Sequence, residues 1–483
     1  MGRSVTMTGL LLGPILFIIL FNVAPSKGLS AEGIAVAAVA TWMAIWWMTE
    51  AVPLAVTALL PLVLFPVFGV NTIDRTAQSY AHPLIFLFLG GFILARAMEQ
   101  WNLHKRLAFF VLRLGGNEPA AIIGSLMAAT AFLSMWISNT ATTMVMLPIG
   151  QALVVTMQTN TGVGNGQKVD GFGAALMLGI AFAATIGGIG SLIGTPPNAL
   201  FAGFMRESYG VEIGFAQWML LGVPIVLVLL PFTWFMLTRF SFRIVDSGTE
   251  QQRANIFEHM ETPGPMSRGE IMVAVLMLTV ASLWVLRPLL ILQFPWLGLS
   301  DAGIAITAAV VLFIIPVRLM GNERLLRWQE AVKIRWDVLI LFGGGLALAG
   351  AIADSGLAAW IGSMASILKG LPVIGLILIV AVIIVYLGEL ASNTAMAAIF
   401  LPIAGATAIG LGEDPLLLTL PVVLAASLGF MLPVATPPNA IIFGSGAVSA
   451  GQMLRAGALL DIIGIIVVMA IGLTLGPLVF PID

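Results

Sequence analysis

Long apolar stretches run through this chain, and two of them are interrupted by the same polar tripeptide. Ser138, Asn139 and Thr140 stand in MWISNTATTMVMLPI, and Ser392, Asn393 and Thr394 stand in ELASNTAMAAIFLPI. Polar side chains and loosened backbone are expensive in hydrocarbon, so a duplicated break implies two halves lining one protected cavity. A second pair strengthens this. GTPPNAL, from Gly194, is echoed by ATPPNAI, from Ala435.

The composition sets the environment of these breaks. Hydrophobic residues make up 59% of the chain and charged residues 9%, with a mean hydropathy of +1.06. A soluble core of this size could not hide so much apolar surface, which leaves a polytopic, all-α membrane protein. The absence of cysteine excludes disulfides and thiolate metal sites. His82, His104 and His259 share no spacing and read as loop residues, with no metal or proton-relay cluster. No basic run with interleaved aromatics suggests nucleic acid. The N-terminal apolar run has no small-residue cleavage site, so residues 1–30 read as a retained first helix.

Apolar blocks predict eleven crossings, near residues 8–25, 31–49, 51–70, 83–101, 171–207, 214–239, 271–292, 303–318, 337–357, 415–447 and 456–480. Two further blocks, 119–157 and 370–411, carry the Ser-Asn-Thr breaks; each fits one kinked span, two spans or a re-entrant helical hairpin. With hairpins, 16 of the 21 basic residues fall on the cytoplasmic side. Only Lys27, Arg75, Arg206, Arg287 and Lys369 fall on the other. The positive-inside rule then puts the N-terminus in and the C-terminus out. Two spans per block would give the same sidedness, so charge excludes only the single-span option.

The repeat extends beyond the tripeptide. The shift of 254 that carries Ser138 onto Ser392 also carries Leu87, Phe88, Gly90 and Gly91 onto Leu341, Phe342, Gly344 and Gly345. It carries Leu147, Pro148 and Ile149 onto Leu401, Pro402 and Ile403 as well. The Thr-Pro-Pro-Asn pair lies at a shift of 241, from Thr195 to Thr436, so the first half holds 13 extra residues. The polar stretch 159–171 accounts for them as an inserted loop. A first repeat (31–240), a linker (241–269) and a second repeat (270–483) follow. Their fourth and ninth spans run in opposite directions, which makes the repeats inverted.

Pro196 and Pro197, like Pro437 and Pro438, lack amide hydrogens and disfavour helix at the preceding residue, so the broken spans 171–207 and 415–447 must unwind near Thr195 and Thr436. Freed carbonyls and hydroxyls suit hard cations. Freed amides at half-helix N-termini, with Asn and Thr side chains, suit carboxylates or other anions. A single such motif could merely glue helices together. Four motifs in two related pairs point to a binding site.

Other features read more plainly. Glu50, at the junction of two spans, reads as a boundary or capping carboxylate, and Asp461 as structural or interfacial. Glu389 either tunes a cation site or senses protons, or else is paired or wet. Arg96 and Glu99 read as an intrahelical pair. The basic, aromatic segments 104–113 and 320–336 fit surface helices that anchor in lipid or join domains. Trp42, Trp46 and Trp47 read as belt or packing residues.

Both Ser-Asn-Thr motifs, both Thr-Pro-Pro-Asn motifs, their order, and WWMTEAVPLAVTALLP at residues 46–61 together resemble the divalent-anion:sodium symporter family (DASS), the INDY-type dicarboxylate carriers. The resemblance covers nearly the whole chain. It implies a homodimer in a bacterial inner membrane, each protomer with a scaffold domain and a transport domain that moves as an elevator. It also implies that the Ser-Asn-Thr motifs are tips of re-entrant hairpins. Carried over by motif, a first sodium site uses Ser134, Ser138, Asn139 and the carbonyl of Gly194. A second uses Gly388, Ala391, Asn393 and Ala435, mostly through backbone oxygens. Related members can carry Thr at the position of Gly388, so here a hydroxyl is missing. The dicarboxylate would be held by Asn139, Thr140, Ser392, Asn393, Thr394 and Pro437.

No Lys or Arg lies within the motifs, and a dianion entering a dry site needs compensating charge, which sodium ions can supply. Sodium-coupled symport of succinate, malate or fumarate is the expectation. The alternative is an exchanger or efflux transporter of the same superfamily for citrate, sulfate or another oxyanion. An enzyme would need a nucleophile with a base, or a metal constellation, and neither is visible.

Overall fold

A computed structural model describes residues 3–22, 29–114, 116, 118–160, 170–244, 264–318, 323–368 and 370–480. Lys27, Lys168, Arg253, His259, Lys369 and most of the polar stretches 159–171 and 241–269 lie outside the described residues. Among the described residues the chain is helical, apart from one isolated bridge between Pro316 and Arg324. Nine of these helices are long and apolar enough to cross a membrane, and the chain is an integral membrane protein.

The first half comprises α1 (Arg3–Phe21), α2 (Ala31–Thr49), α3 (Leu54–Thr57), α4 (Leu60–Val67), α5 (Ile73–Tyr80), α6 (Pro83–Gln100) and α7 (Leu103–Leu114). It continues with α8 (Pro119–Ser134), α9 (Asn139–Asn160), α10 (Asp170–Ile189), α11 (Pro196–Tyr209) and α12 (Phe215–Phe235). The second comprises α13 (Arg268–Gln293), α14 (Asp301–Ile314), α15 (Trp328–Ala331), α16 (Trp336–Asp354) and α17 (Leu357–Ala365). It ends with α18 (Val373–Gly388), α19 (Asn393–Leu411), α20 (Pro415–Ala426), α21 (Pro437–Gly444) and α22 (Ala450–Val479).

Short polar side chains set several helix starts. The Ser30 hydroxyl accepts the Gly33 N–H at 2.9 Å before α2, and Ser267 with Glu270 and Ser449 with Gln452 form capping boxes before α13 and α22. At the centre lies α10, whose apolar window is wholly buried against α8, α9, α12 and α21. A Cβ at Gly187 would come within 2.3 Å of the Ala131 carbonyl, so glycine is what lets α10 cross α8 this closely.

The two motif blocks are each two helices joined by a tight turn, α8 to α9 and α18 to α19, with the partners packed on each other. The broken spans are also as the proline pairs require, with α10 separated from α11 and α20 from α21 by non-helical backbone that is extended at Thr195 and Thr436.

Three expectations change. Residues 51–70 do not form one helix: Pro53 caps α3 and Pro61 lies in the first turn of α4, and each removes a ladder donor where a continuous helix would need one. His82 is not a plain loop residue, because it caps α6, its Nδ1 accepting the Leu84 N–H at 3.3 Å. His104 sits within α7 and is buried. The segment 320–336 is not one surface helix: among its described residues only Trp328–Ala331 and Trp336, which opens α16, are helical. There Glu330 joins Arg96 at 2.8 Å and Lys333 at 2.7 Å, and both cations hold its carboxyl below the usual carboxylate range. Arg96 also pairs with Glu99, as its spacing suggests.

Candidate substrate and cation site

Four helices begin at one place. The first residues of α9, α11, α19 and α21, namely Asn139, Pro196, Asn393 and Pro437, all line a single cavity of about 540 Å³. The two broken spans reach it in matching ways: Thr195 has φ −140° and ψ 144°, and Thr436 has φ −138° and ψ 150°, each followed by a proline in the first turn. First-turn amides of α9 and α19 and the positive ends of all four helix dipoles therefore converge on one space, α11 and α21 adding only their dipoles because each opens on two prolines without N–H; the arrangement suits an anion with more than one negative group.

At the first turn, the Ser134 hydroxyl donates to the Ala184 carbonyl at 2.6 Å and lies 2.7 Å from the Asn139 amide. That amide sits among three oxygens, Ser134 Oγ, Gly194 O and Ala184 O. With its nitrogen turned toward them it donates at 2.7, 3.3 and 3.2 Å. With its oxygen turned in, four oxygens converge, among which only the Ser134 hydroxyl can donate. Ser138 Oγ accepts the Ala141 N–H at 3.3 Å, capping α9.

The second turn is built differently. Asn393 Oδ1 is buried with no hydrogen-bond partner, close to where Gly429 and Ala435 meet. Behind it, the buried carboxylate of Glu389 accepts three backbone N–H groups of the second break. Oε1 takes Phe430 at 2.7 Å and Met431 at 2.9 Å, and Oε2 takes Leu432 at 2.7 Å. The paired reading of Glu389 therefore holds. Asp461, on α22, faces this carboxylate and is fully buried, so it is not interfacial.

The cavity brings together Ser138, Asn139, Thr140, Gly194, Ser392, Asn393, Thr394, Ala435 and Pro437. It does not include Ser134, Gly388 or Ala391. Ser134 stands behind Asn139, and the Gly388 carbonyl accepts the Ala391 N–H at 3.3 Å inside the second turn. Sequence reasoning missed the opposite wall, formed by Glu50, Phe88, Phe92, Arg335 and Asp337. Glu50 ends α2 through its backbone N–H, which donates to the Trp46 carbonyl, in left-handed backbone with φ 46°; its carboxylate does not cap the next helix, which starts after Pro53. Arg335 belongs to the basic segment 320–336, whose composition reads as a surface helix and not as a cavity wall; its guanidinium is held by Asp337 at 2.7 and 2.9 Å. A larger cavity, about 660 Å³, is lined mainly by apolar side chains such as Phe204, Ile352 and Ile409 and contains none of the motif residues. The chemistry lies in the smaller one.

The family model described as the sodium:sulfate symporter transmembrane region matches residues 5–482. A protein of Staphylococcus saprophyticus named as the sodium-dependent dicarboxylate transporter SdcS is 39% identical over 480 residues, covering 99% of this chain and 92% of that protein. A Staphylococcus aureus protein of the same name is 40% identical over 481 residues, covering 98% and 92%. Among solved structures, the Alcanivorax borkumensis YdaH transporter has a TM-score of 0.57 at 13% identity, covering 98% of this chain and 97% of its own. Neisseria gonorrhoeae MtrF has the same TM-score at 12% identity, covering 97% and 96%. These two share the fold. From its match over nearly its whole length and its identity with these relatives, the chain belongs to the sodium:sulfate symporter family.

Proposed function

We propose that this protein is a secondary active transporter that couples sodium to the movement of small dicarboxylates such as succinate, malate and fumarate across a bacterial plasma membrane. The observation that carries this reading is the convergence of four helix N-termini on one cavity whose motif walls contain no fixed cation. The dipoles favour an anion, each by about 0.3–1 kcal/mol. That is too little to desolvate a dianion, so mobile cations complete the neutralisation.

The first cation site uses Ser134, Ser138, Asn139 and the Gly194 carbonyl, and the second uses Gly388, Ala391, Asn393 and Ala435. The oxygen cluster around Asn139 and the unpartnered Asn393 oxygen support both. Asn139, Thr140, Ser392, Asn393, Thr394 and Pro437 hold the carboxylates between them. The two turns are tips of re-entrant hairpins in inverted repeats, with eleven further crossings, the N-terminus inside and the C-terminus outside. A homodimer works by an elevator movement of the domain that carries the tips.

Exchange or efflux of citrate, sulfate or another oxyanion would call for a fixed positive charge at the anion. Arg335 is the cation that lines the cavity, but Asp337 occupies its guanidinium, which favours the sodium-coupled reading. Uptake of radiolabelled succinate into proteoliposomes tests it: an inward sodium gradient should drive accumulation, and uptake indifferent to that gradient would refute the coupling.

A further inference from the structure

The asparagines that close the two Thr-Pro-Pro-Asn motifs do not line the cavity, yet both are fully buried and make the same bonds in both halves. Asn198 Nδ2 donates to the carbonyls of Gly188 at 3.1 Å and Ser191 at 2.8 Å, with Ile189 at 3.5 Å. Asn439 Nδ2 donates to those of Gly429 at 3.4 Å and Leu432 at 3.0 Å. The acceptors correspond residue for residue: Gly188 to Gly429 and Ser191 to Leu432 is the same shift of 241 that carries Asn198 onto Asn439. With several carbonyls around each nitrogen, the amide orientation is fixed.

What these amides hold lies directly against the tips. A Cβ on Gly188 would come within 2.5 Å of Asn139 Oδ1, and a Cβ on Gly194 within 2.4 Å of the Gly188 carbonyl. In the other half, Gly429, at φ +148°, faces Asn393 Oδ1 and the Ala435 Cβ. Each chain of contacts thus runs from a motif asparagine, through a glycine carbonyl it grips, to the asparagine of the facing tip and to position 194 or 435. Both Asn198 and Asn439 leave Oδ1 buried without a partner. A residue kept only for packing has no reason to carry that burden twice, since an apolar side chain of the same size would avoid it.

We propose that Asn198 and Asn439 are positioning residues for the two cation sites, clamping the break carbonyls so that the tip asparagines sit at cation-binding depth. This rests on the cation-site reading above. Supporting residues of this kind typically change ion affinity by about 10- to 100-fold when replaced.

The test compares sodium activation of succinate uptake in proteoliposomes for Asn198→Leu, Asn439→Leu, Gly188→Ala and Asn139→Ala. Each Leu variant should raise the half-saturating sodium about tenfold or more, and by more than it raises the succinate KM at saturating sodium. A purely structural role would lower the amount of folded transporter without separating those two quantities. Should a Leu variant fail to fold, Gly188→Ala decides, because it presses on Asn139 with Asn198 intact and should give the same sodium shift. Parental half-saturation in Asn198→Leu and Asn439→Leu, or in Gly188→Ala where those do not fold, with sodium activation lost in Asn139→Ala, would overturn the positioning role alone. Normal sodium activation in Asn139→Ala would instead overturn the cation-site reading beneath it.

Discussion

The two tips are tied to the breaks beside them at corresponding positions, but by opposite chemistry. In the first half the break supplies the side chain, as the Ser191 hydroxyl donates to the Met135 carbonyl in the tip. In the second the tip supplies it, as Glu389 accepts the amides of Phe430, Met431 and Leu432 in the break. Met135 and Glu389 are related by the shift of 254, and Ser191 and Leu432 by the shift of 241. One joint is neutral and carries a single side-chain bond; the other is ionic and carries three. A difference in cation chemistry runs parallel to it. The first tip has the Ser134 hydroxyl beside Asn139, whereas the second has Gly388 at the matching position and a carboxylate one residue on. Equal geometry around one cavity is thus reached by unequal means.

The largest test of this comparison is removal of the joints. Glu389→Ala leaves three buried amides without their acceptor and should destabilise the protein by about 3 kcal/mol or more, against about 1 kcal/mol for Ser191→Ala, read from denaturant unfolding in detergent. Equal losses would break the comparison. Next, Gly194→Ala places a Cβ 2.4 Å from the Gly188 carbonyl, while its counterpart Ala435 already carries one. It should raise half-saturating sodium for uptake about tenfold, and Ala435→Gly should change it less than about threefold. The smallest effect is a gain. The nearest atom to a Cβ at Gly388 is Met396 Cγ at 4.0 Å, so Gly388→Thr has room for a hydroxyl and should lower half-saturating sodium by about two- to threefold. A rise there would mean that the second tip does not use that position for a cation.

Much of this was legible because duplicated polar breaks in apolar sequence have few explanations. The proline pairs fixed where α11 and α21 begin, and the Ser-Asn-Thr motifs fixed where α9 and α19 begin, whereas α10 and α20 end earlier, at Ile189 and Ala426. The remainder depended on distance across the fold. Arg335 and Asp337 reach the cavity only because α16 packs alongside α3, and no local pattern marks that. Glu389 had no visible partner in sequence because its partners are backbone amides about forty residues on, and backbone amides have no sequence signature. The Asn198 and Asn439 clamps did leave a signal, a shared register with Gly188 and Gly429, but it takes meaning only once the breaks are seen to fold back. The histidines went astray for a related reason, since a cap at His82 and burial at His104 arise from helix ends and packing rather than from spacing.

The central claim is that the anion site is completed by cations bound at two unequal tips. Titration of succinate into the purified protein, in sodium and in choline at equal ionic strength, addresses it without any transport step. By reciprocity, cations that complete the site must tighten succinate as succinate tightens them. Binding should be clear in sodium and at least about a hundredfold weaker in choline, a coupling near the upper end of the usual range. Equal affinity in the two salts would contradict it.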